Sequence, residues 1–294
     1  TLAFLKRRLL EVEKEHSKRF DTEGNLASFS DAIISCSRQE KRHLVESYGI
    51  SSAKVRVIYP GVNERLFYHI SEPRVFRDIR QMKGGRVLLY VGRIEPIKGL
   101  MTVVEALQLL KTKNKSLFDR LRLVVIGGGR RDLDLLRNQE FLRIKEAVEK
   151  KALKEKVVFL GSKKQSQLKK YYSASGALIV PSLYESFGLV VIEALACGIP
   201  VIVSQIGEMP SIIKEGKSGF SFHPHDPLSL ATCLEHFFSQ EKKLWSPERI
   251  SQDVLRRFSW EKTASETYDL FWKIVKNQTI STTIFPHGES LQLT

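Results

Sequence analysis

The sequence is poor in cysteine, in long apolar runs and in acidic residues. Its only cysteines, Cys36, Cys197 and Cys233, are too widely spaced for a disulfide framework or a zinc site, which favours a reducing, cytoplasmic setting. No apolar run approaches the roughly 18 residues that a transmembrane helix needs. The charged stretch Thr1–Arg19 lacks the apolar core of a signal peptide. These absences argue against a secreted, disulfide-bonded protein and against a membrane span.

Basic residues outnumber acidic ones, with 47 Lys and Arg against 33 Asp and Glu and a net charge of +14. Such an excess predicts attraction to nucleic acid, to an acidic lipid surface or to a phosphorylated small molecule. Many of the cations lie in residues 140–170, interleaved with an apolar period that is typical of a solvated helix face. No aromatic ladder accompanies them, so we expect no nucleic-acid partner. A weak peripheral contact with a membrane surface stays open.

Short β-branched runs alternate with amphipathic stretches along most of the chain. The runs are almost continuously apolar, which is typical of parallel strands covered on both faces. They predict strands at Ala32–Ser35, Val55–Tyr59, Val87–Val91, Leu121–Ile126, Val157–Leu160, Ala177–Val180 and Ile199–Val203. The amphipathic stretches predict helices at Leu2–Leu26, Leu100–Leu110, Leu135–Lys151, Gln165–Ser173, Leu189–Cys197, Leu228–Phe238 and Glu261–Lys276. This alternation predicts an α/β fold with a doubly wound parallel sheet.

The alternation is interrupted by a polar stretch that ends in Gly84 and Gly85, and we place an interdomain linker at residues 71–85. Residues 1–70 hold too few elements for a complete domain, and the chain lacks an initiator methionine. We therefore expect residues 1–70 to be the last part of a domain whose beginning is missing. Downstream we predict a ligand-binding domain at 86–258, a C-terminal helix at 259–277 and a flexible tail at 278–294.

The strongest candidate site follows the predicted strand that ends at Val180. A loop with Glu185 leads to Gly188, which opens a helix. In an open α/β sheet, ligands bind at the carboxyl ends of strands, and the N-terminus of a helix attracts anions. Glu193 in that helix can accept hydrogen bonds from a ribose diol, and Glu185 can accept from a sugar hydroxyl. Either glutamate alone is better explained as a cap or a surface residue, but the whole passage favours a binding site.

A second candidate site follows the predicted strand that ends at Val91. Gly92 allows the backbone to approach a ligand closely, and Arg93 and Lys98 come from the loop that follows. Two cations at this position can hold a diphosphate and balance the charge that develops on it as it leaves. The alternative is an ordinary surface Arg and Lys, which are common in so basic a chain.

Three further motifs are better explained structurally. Residues Asp132–Asp134 have the D-x-D pattern of metal–nucleotide sites, but two arginines separate them from the preceding strand, which favours helix capping. Gly127–Gly129 does not fit G-x-G-x-x-G, so nicotinamide binding has little support. His223–His225, followed by Asp226 and a proline, predicts a turn and a helix start rather than a metal site.

Glu185 and Glu193 form an E-x7-E pair, and Arg93 with Lys98 is its companion signature. By these motifs the sequence resembles the family 4 (group 1) glycosyltransferases, which have the two-domain GT-B fold, and particularly their sucrose-phosphate synthase and sucrose synthase branch. The resemblance covers about residues 19–275. Its other matches are Asp31–Ser37, Val55–Asn63, Phe67, Gly127–Gly129, Gly161 and Gly216–Phe220.

The resemblance implies that residues 86–258 form a Rossmann-like domain that binds a nucleoside-diphosphate sugar. It makes residues 1–70 a remnant of the N-terminal acceptor domain, toward which the helix at 259–277 returns. It also implies transfer with retention of anomeric configuration, without a metal or another cofactor, to an acceptor such as a sugar or a sugar phosphate.

The resemblance further assigns roles to individual residues. Arg93, Lys98 and Glu185 become the catalytic groups. The expected donor contacts are the diphosphate with Arg93 and Lys98, the ribose with Glu193, the sugar with Glu185 and the backbone of Phe187, Gly188 and Leu189, and the base with Gly161 and Ser162.

Two departures from the family pattern limit these expectations. The Gly-rich loop and the acceptor pocket of the family's N-terminal domain are not in this sequence, so a non-catalytic nucleotide-sugar-binding module, or an inactive fragment, stays open as an alternative. Residues Gln205–Pro210 contain one glycine where many members have two adjacent ones. This puts in doubt a close approach of that backbone to the substrate.

Overall fold

A computed structural model describes residues 15–70, 86–128 and 137–283. Its strands are β1 (Ile33–Ser35), β2 (Val55–Val57), β3 (Arg86–Val91), β4 (Leu121–Ile126), β5 (Val157–Phe159), β6 (Ala177–Val180), β7 (Val201–Ser204) and β8 (Gly219–Phe222). Its helices are α1 (Glu15–Phe29), α2 (Arg38–Tyr48), α3 (Leu100–Lys113), α4 (Lys115–Arg120), α5 (Gln139–Lys150), α6 (Gln165–Ser173), α7 (Leu189–Ala196), α8 (Met209–Ile212), α9 (Pro227–Ser239), α10 (Pro247–Arg257) and α11 (Trp260–Thr283).

Six parallel strands form the main sheet in the order β5-β4-β3-β6-β7-β8. The chain adds β4 and β5 on one side of β3, and it then crosses to the other side to add β6, β7 and β8. Loops that leave β3 and β6 therefore diverge, which opens a crevice at the carboxyl ends of these two strands. The order and the parallel pairing confirm the predicted doubly wound α/β sheet.

Helices cover both faces of this sheet, and this explains why its central strands are apolar without alternation. Leu88 and Leu89 are adjacent in β3 and both fully buried. Leu88 packs into a core with residues of α3, α4, α5 and α9. Leu89 packs on the opposite face with residues of α6, α7, α8 and α10. Each face is therefore a separate hydrophobic core, and the strand residues must be apolar on both sides.

A second, two-stranded parallel sheet is formed by β1 and β2. The segment after β2 joins the main body through Val62, whose backbone N–H donates to the carbonyl of Phe258 at 2.9 Å. The start of α11 lies beside the same segment, because the Thr263 hydroxyl donates to the Tyr59 carbonyl at 2.8 Å. The predicted linker at 71–85 lies outside the described residues, and the domain boundaries stay predictions.

Every predicted strand is present, with small shifts at the ends, but β8, α2, α4, α8 and α10 were not predicted. The strand β8 has the sequence Gly-Phe-Ser-Phe at the sheet edge, which gives little β-branched signal. In α2 no residue is fully buried, so no apolar stripe marks it. In α10 the buried positions include the polar Ser251 and Asp253, which obscures its period.

Two helix boundaries differ from the predictions by four residues or more. The helix expected from Leu135 begins at Gln139, because the Asn138 side chain accepts a hydrogen bond from the Phe141 N–H and caps the helix there. The C-terminal helix runs to Thr283, so the first residues of the predicted tail are helical. The turn at His223–His225 is confirmed, and Asp226 caps α9.

Several expectations fall outside the described residues, namely the D-x-D motif at 132–134, the first part of the helix predicted at Leu2–Leu26 and the last part of the predicted tail. Among the helices that the structure does describe, none combines the length and the apolarity needed to cross a bilayer.

Candidate functional site

A cavity of about 490 Å³ opens at the carboxyl ends of β3 and β6. Residues from both predicted motifs line it together, although they are distant in sequence, because β3 and β6 are neighbours in the sheet. The lining residues that were predicted from the sequence are Gly92, Arg93, Lys98, Glu185, Phe187, Gly188 and Leu189. The tertiary structure thus brings together in one cavity the residues that were predicted to bind the diphosphate and those that were predicted to bind the sugar.

Lys98 and Glu185 form an ion pair within this cavity. The Lys98 ammonium lies 2.7 Å from a Glu185 carboxylate oxygen, and both side chains are about one fifth exposed, at 19% and 21%. The loops that carry them are tied by a hydrogen bond from the Leu183 N–H to the Ile97 carbonyl at 2.8 Å. These two side chains were predicted to bind different parts of a ligand, and their pairing was not predicted.

Arg93 lies at the rim of the cavity. Its guanidinium group contacts a Glu95 carboxylate oxygen at 2.7 Å, and its side chain is 61% exposed. Its backbone is fixed by a hydrogen bond, because the hydroxyl of the buried Tyr90 donates to the Arg93 carbonyl at 2.7 Å. Arg93 is therefore a solvated cation that can move toward an anion, whereas Lys98 is held inside the cavity.

The N-terminus of α7 opens on the same cavity. Gly188 caps it with a backbone φ of 92°, and no side chain of the described residues makes a capping hydrogen bond there. Glycine suits this position for two reasons. Other residues are strained at this positive φ, and an added Cβ would lie 2.9 Å from the Met209 side chain. The first N–H groups of the helix and its positive dipole end are left to attract an anion.

Glu193 lies one turn further along α7 and is not among the residues that line the cavity. Its carboxylate accepts hydrogen bonds from the fully buried Tyr172 hydroxyl at 2.9 Å and from the Gln165 amide at 3.3 Å. Burial raises the pKa of Glu193, and the hydrogen bonds from Tyr172 and Gln165 oppose that rise. The Glu193 carboxylate is half-buried and oriented toward α6.

Gly161 and Ser162 also lie beside the cavity rather than in its wall. Both belong to the loop after β5 and bond to the loop after β4, through the Gly127 N–H to the Gly161 carbonyl at 3.1 Å and the Ser162 hydroxyl to the Gly128 carbonyl at 2.9 Å. They lie at the same carboxyl edge of the sheet. Their predicted role beside a base stays a prediction.

Eight lining residues were not predicted as site residues, namely Cys36, Pro60, Tyr90, Val91, Val180, Ser182, Ser186 and Val190. Cys36 lies on the small-sheet side of the cavity, with its sulfur 3.2 Å from the Ser186 hydroxyl and 2.9 Å from a Glu40 carboxylate oxygen. Burial and the contact with Glu40 raise the pKa of Cys36 to about 12, so the group is a thiol at neutral pH. Ser186 lies within the E-x7-E motif, so the sequence held a signal from which it could have been predicted. Cys36 is distant in sequence, and only the fold brings it next to Ser186.

The loop after β7 meets the Glu185 loop directly. Gly207 has a φ of 65°, and a Cβ at this position would lie 1.9 Å from the Glu185 carbonyl oxygen. The single glycine of Gln205–Pro210 therefore serves close contact between two loops. In the structure the backbone of this segment approaches the backbone of Glu185, and whether it also approaches a substrate is not tested by this contact.

The chain belongs to the glycosyl transferases group 1, whose family profile matches residues 72–252, more than half of the sequence. A second profile, Glycosyltransferase Family 4, matches residues 4–66. The D-inositol 3-phosphate glycosyltransferase of Acidothermus cellulolyticus is 30% identical over 251 residues, which are 85% of this chain and 54% of that protein. The chain thus spans about half the length of this relative. The family resemblance inferred from the motifs is confirmed.

Solved structures agree with this assignment. Sucrose-phosphate synthase from Thermosynechococcus elongatus is 27% identical and superposes with a TM-score of 0.75, covering 94% of this chain and 67% of that one. HepE from Anabaena, solved with UDP and glucose, is 19% identical with a TM-score of 0.75, covering 87% of this chain and 67% of that one. At that identity HepE shows the likeness of fold alone. The predicted GT-B type of fold is confirmed.

Proposed function

We propose that this chain forms the donor-binding part of a retaining glycosyltransferase and holds a nucleoside-diphosphate sugar in the cavity between β3 and β6. The observation that carries the proposal is the convergence of Arg93, Lys98, Glu185 and the N-terminus of α7 on one space of about 490 Å³. This volume is within the range of ligand pockets, about 300–1,000 Å³. Membership of a glycosyltransferase family supports the transferase activity.

The diphosphate would lie against Lys98 and the N-terminus of α7, with Arg93 moving in from the rim. Lys98 lies inside the cavity, where a charged hydrogen bond is less screened by water than at the surface. The dipole of α7 adds positive potential at the same place. These groups favour the diphosphate most strongly when it leaves, since its negative charge then increases. In this proposal no metal or further cofactor shares that task.

The rest of the donor would extend along the carboxyl edge of the sheet. Glu185 accepts hydrogen bonds from the sugar, and the backbone of residues 187–189 supports it. Glu193, next along α7, accepts from the ribose, and Gly161 with Ser162 lies near the base. This order follows the positions of the residues, because Glu185 lines the cavity while Glu193 lies beyond it on the side of α6.

In the transfer step, the bond between the anomeric carbon and the diphosphate oxygen breaks, and its electron pair stays on the leaving diphosphate. An acceptor hydroxyl bonds to the anomeric carbon from the same face, and its proton passes to an oxygen of the leaving diphosphate. A sugar or a sugar phosphate is the proposed acceptor class. The names of two relatives, D-inositol 3-phosphate glycosyltransferase and sucrose-phosphate synthase, support this class.

Calorimetric titration with UDP, GDP and ADP, each with and without an attached sugar, tests the proposal. UDP is the first choice, since HepE was solved with it. We expect one of these ligands to bind, and Lys98→Ala to weaken it about tenfold by removing a charged hydrogen bond. Lys111→Ala is the matched control, because the Lys111 ammonium bonds to the Lys151 carbonyl, away from the cavity. A folded protein that binds none of the ligands would contradict the donor site.

A further inference from the structure

Glu208 is a nearly buried carboxylate in the loop after β7, with 4% of its surface exposed. It accepts hydrogen bonds from the Arg38 backbone N–H at 2.9 Å, the Tyr59 hydroxyl at 2.9 Å and the Ser211 hydroxyl at 2.8 Å. The Arg38 guanidinium lies 3.9 Å away. Burying a carboxylate is costly unless it is hydrogen-bonded, and these donors satisfy both oxygens. The donor set explains why this charge can be held inside the protein.

The donors to Glu208 come from two distant parts of the chain. Arg38 begins α2 and Tyr59 follows β2, so both belong to the region of the small sheet. Ser211 lies in α8, next to Glu208 itself. One side chain therefore joins the small-sheet region to a loop at the carboxyl edge of the main sheet.

That loop touches the loop that carries Glu185. The Glu208 N–H donates to the Ser186 carbonyl at 3.2 Å, and Gly207 lies against the Glu185 carbonyl. The small-sheet region holds Ser186 from the other side, through contacts of its hydroxyl with Cys36 at 3.2 Å and with Ser37 at 3.3 Å. The backbone at residues 185–186 is thus clamped between two segments that Glu208 connects.

Glu208 also acts on Phe187, the residue after Ser186, through an aromatic contact of Tyr59. The Tyr59 ring, whose hydroxyl bonds to Glu208, packs against Phe187 with 5.7 Å between ring centroids. Phe258 packs on both rings, at 5.7 Å from Tyr59 and 5.6 Å from Phe187. Fixing the Tyr59 hydroxyl therefore fixes one wall of the packing around Phe187, which lines the cavity.

We infer that Glu208 is a positioning residue for residues 185–188, which it holds through Ser186 and Phe187 without lining the 490 Å³ cavity itself. Residues 185–188 carry the carboxylate that pairs with Lys98 and the N-cap of α7, so their placement sets the shape of the site. The effect on donor binding rests on the proposed function. The effect on the loop itself does not, and it can be measured without a ligand.

Hydrogen exchange of the unliganded protein, read in peptides that cover residues 183–190, is the first test. We expect Glu208→Ala to speed exchange there about tenfold or more, the change that loss of a hydrogen bond to a charged group produces. Glu208→Gln should have a smaller effect, because its one carbonyl oxygen can still accept from the Arg38 N–H. Tyr59→Phe removes a single donor and keeps the ring, and it provides a mild variant if Glu208→Ala fails to fold.

Asn114→Ala is the control for general destabilisation. Asn114 caps α4 and bonds to Glu235 on the opposite face of the sheet. It should leave exchange at 183–190 unchanged while lowering the melting temperature. Parent-like exchange in all the Glu208 and Tyr59 variants, or an equal acceleration in Asn114→Ala, would overturn the inference.

Titration with UDP and UDP-glucose is the second test, on the same variants. The Glu208 variants should weaken UDP-glucose about tenfold and UDP only a few fold, since the sugar depends on Glu185. If exchange at 183–190 rises but both affinities stay at the parent values, Glu208 holds residues 185–188 and the inferred effect on donor binding is wrong. If the parent binds neither ligand, the proposed function fails, and the exchange result still decides whether Glu208 holds residues 185–188.

Discussion

The ammonium of Lys98 lies 2.7 Å from a carboxylate oxygen of Glu185, so the two predicted motifs meet as an ion pair inside the cavity. An anion that binds to Lys98 must compete with Glu185. The ion pair also gives each charge a partner in a partly buried site, where the desolvation of an unpaired charge would destabilise the protein. The same contact that preserves the unliganded site therefore opposes the binding of a bare diphosphate.

Glu185→Gln should separate these two effects. Without the carboxylate, Lys98 is free for the phosphates, so UDP should bind as well as to the parent or up to about fivefold more tightly, the range of a partly screened ion pair. UDP-glucose should gain less or bind more weakly, because the sugar loses a charged acceptor. Paired calorimetric titrations measure the difference. Glu215→Gln, an exposed carboxylate that accepts from the Ser221 N–H, serves as control and should change neither affinity.

Tyr172→Phe should change the pH dependence of nucleotide binding. Burial raises the pKa of Glu193, and the Tyr172 hydroxyl lowers it by bonding to the carboxylate. Protonation below that pKa weakens the hold on ribose hydroxyls, so affinity for UDP should fall as the pH falls. Removing the hydroxyl raises the Glu193 pKa further, and the fall should begin at a higher pH than in the parent. Tyr268→Phe, on the exposed face of α11, should leave the profile unchanged, and an unshifted profile for Tyr172→Phe would argue against the ribose role.

Gly207→Ala and Gly216→Ala form a matched pair. Both glycines have a positive φ, 65° and 70°, so both substitutions carry similar backbone strain, about 1–3 kcal/mol. Only the Gly207 Cβ would collide, at 1.9 Å from the Glu185 carbonyl, whereas nothing lies within 4 Å of the Gly216 Cβ. Gly207→Ala should therefore lower the melting temperature more and weaken UDP-glucose binding. If both variants lose the same amount of melting temperature and of UDP-glucose affinity, the loop that carries Glu185 can shift to accommodate the added Cβ at little cost.

Asp253 should contribute to stability in a pH-dependent way. Burial alone would raise its pKa, but hydrogen bonds and charge from Lys214 and Arg257, at 2.7 and 3.2 Å, hold the pKa below its usual value. A lowered pKa in the folded state gives stability that is present above the unfolded-state value near pH 3.9 and is lost as the pH falls through the folded-state value.

Asp253→Asn should therefore cost about 1–3 kcal/mol at pH 7, and the difference from the parent should shrink below about pH 4. Melting curves across this range measure it. Glu146→Gln removes an exposed partner of Lys150 and should not measurably change the melting temperature. A constant difference between parent and Asp253→Asn at every pH would rule out the proposed linkage.

The fold could be predicted from the sequence because both faces of the sheet are buried. Strands such as β4 and β6 must then be apolar at almost every position, with Arg122 of β4 as the exception, and such apolar runs can be recognised from the sequence alone. The missed elements lack that signal. The strand β8 lies at the edge of the sheet. The helix α10 buries the polar residues Ser251 and Asp253, which can be buried because they bond to Ala196 and Lys214 elsewhere in the chain.

The sequence by itself determined that the cavity lies at the carboxyl edge of the sheet and identified seven of the residues in its wall, since the loops after parallel strands all lie at that edge. Only the tertiary structure decided which charges pair there. Glu185 pairs with Lys98, Glu193 bonds to Tyr172, and Glu208 bonds to Arg38 and Tyr59. Hydrogen bonds between groups so distant in sequence leave no periodic pattern along the chain, because they depend on distances of a few ångströms that the packing of strands and helices sets.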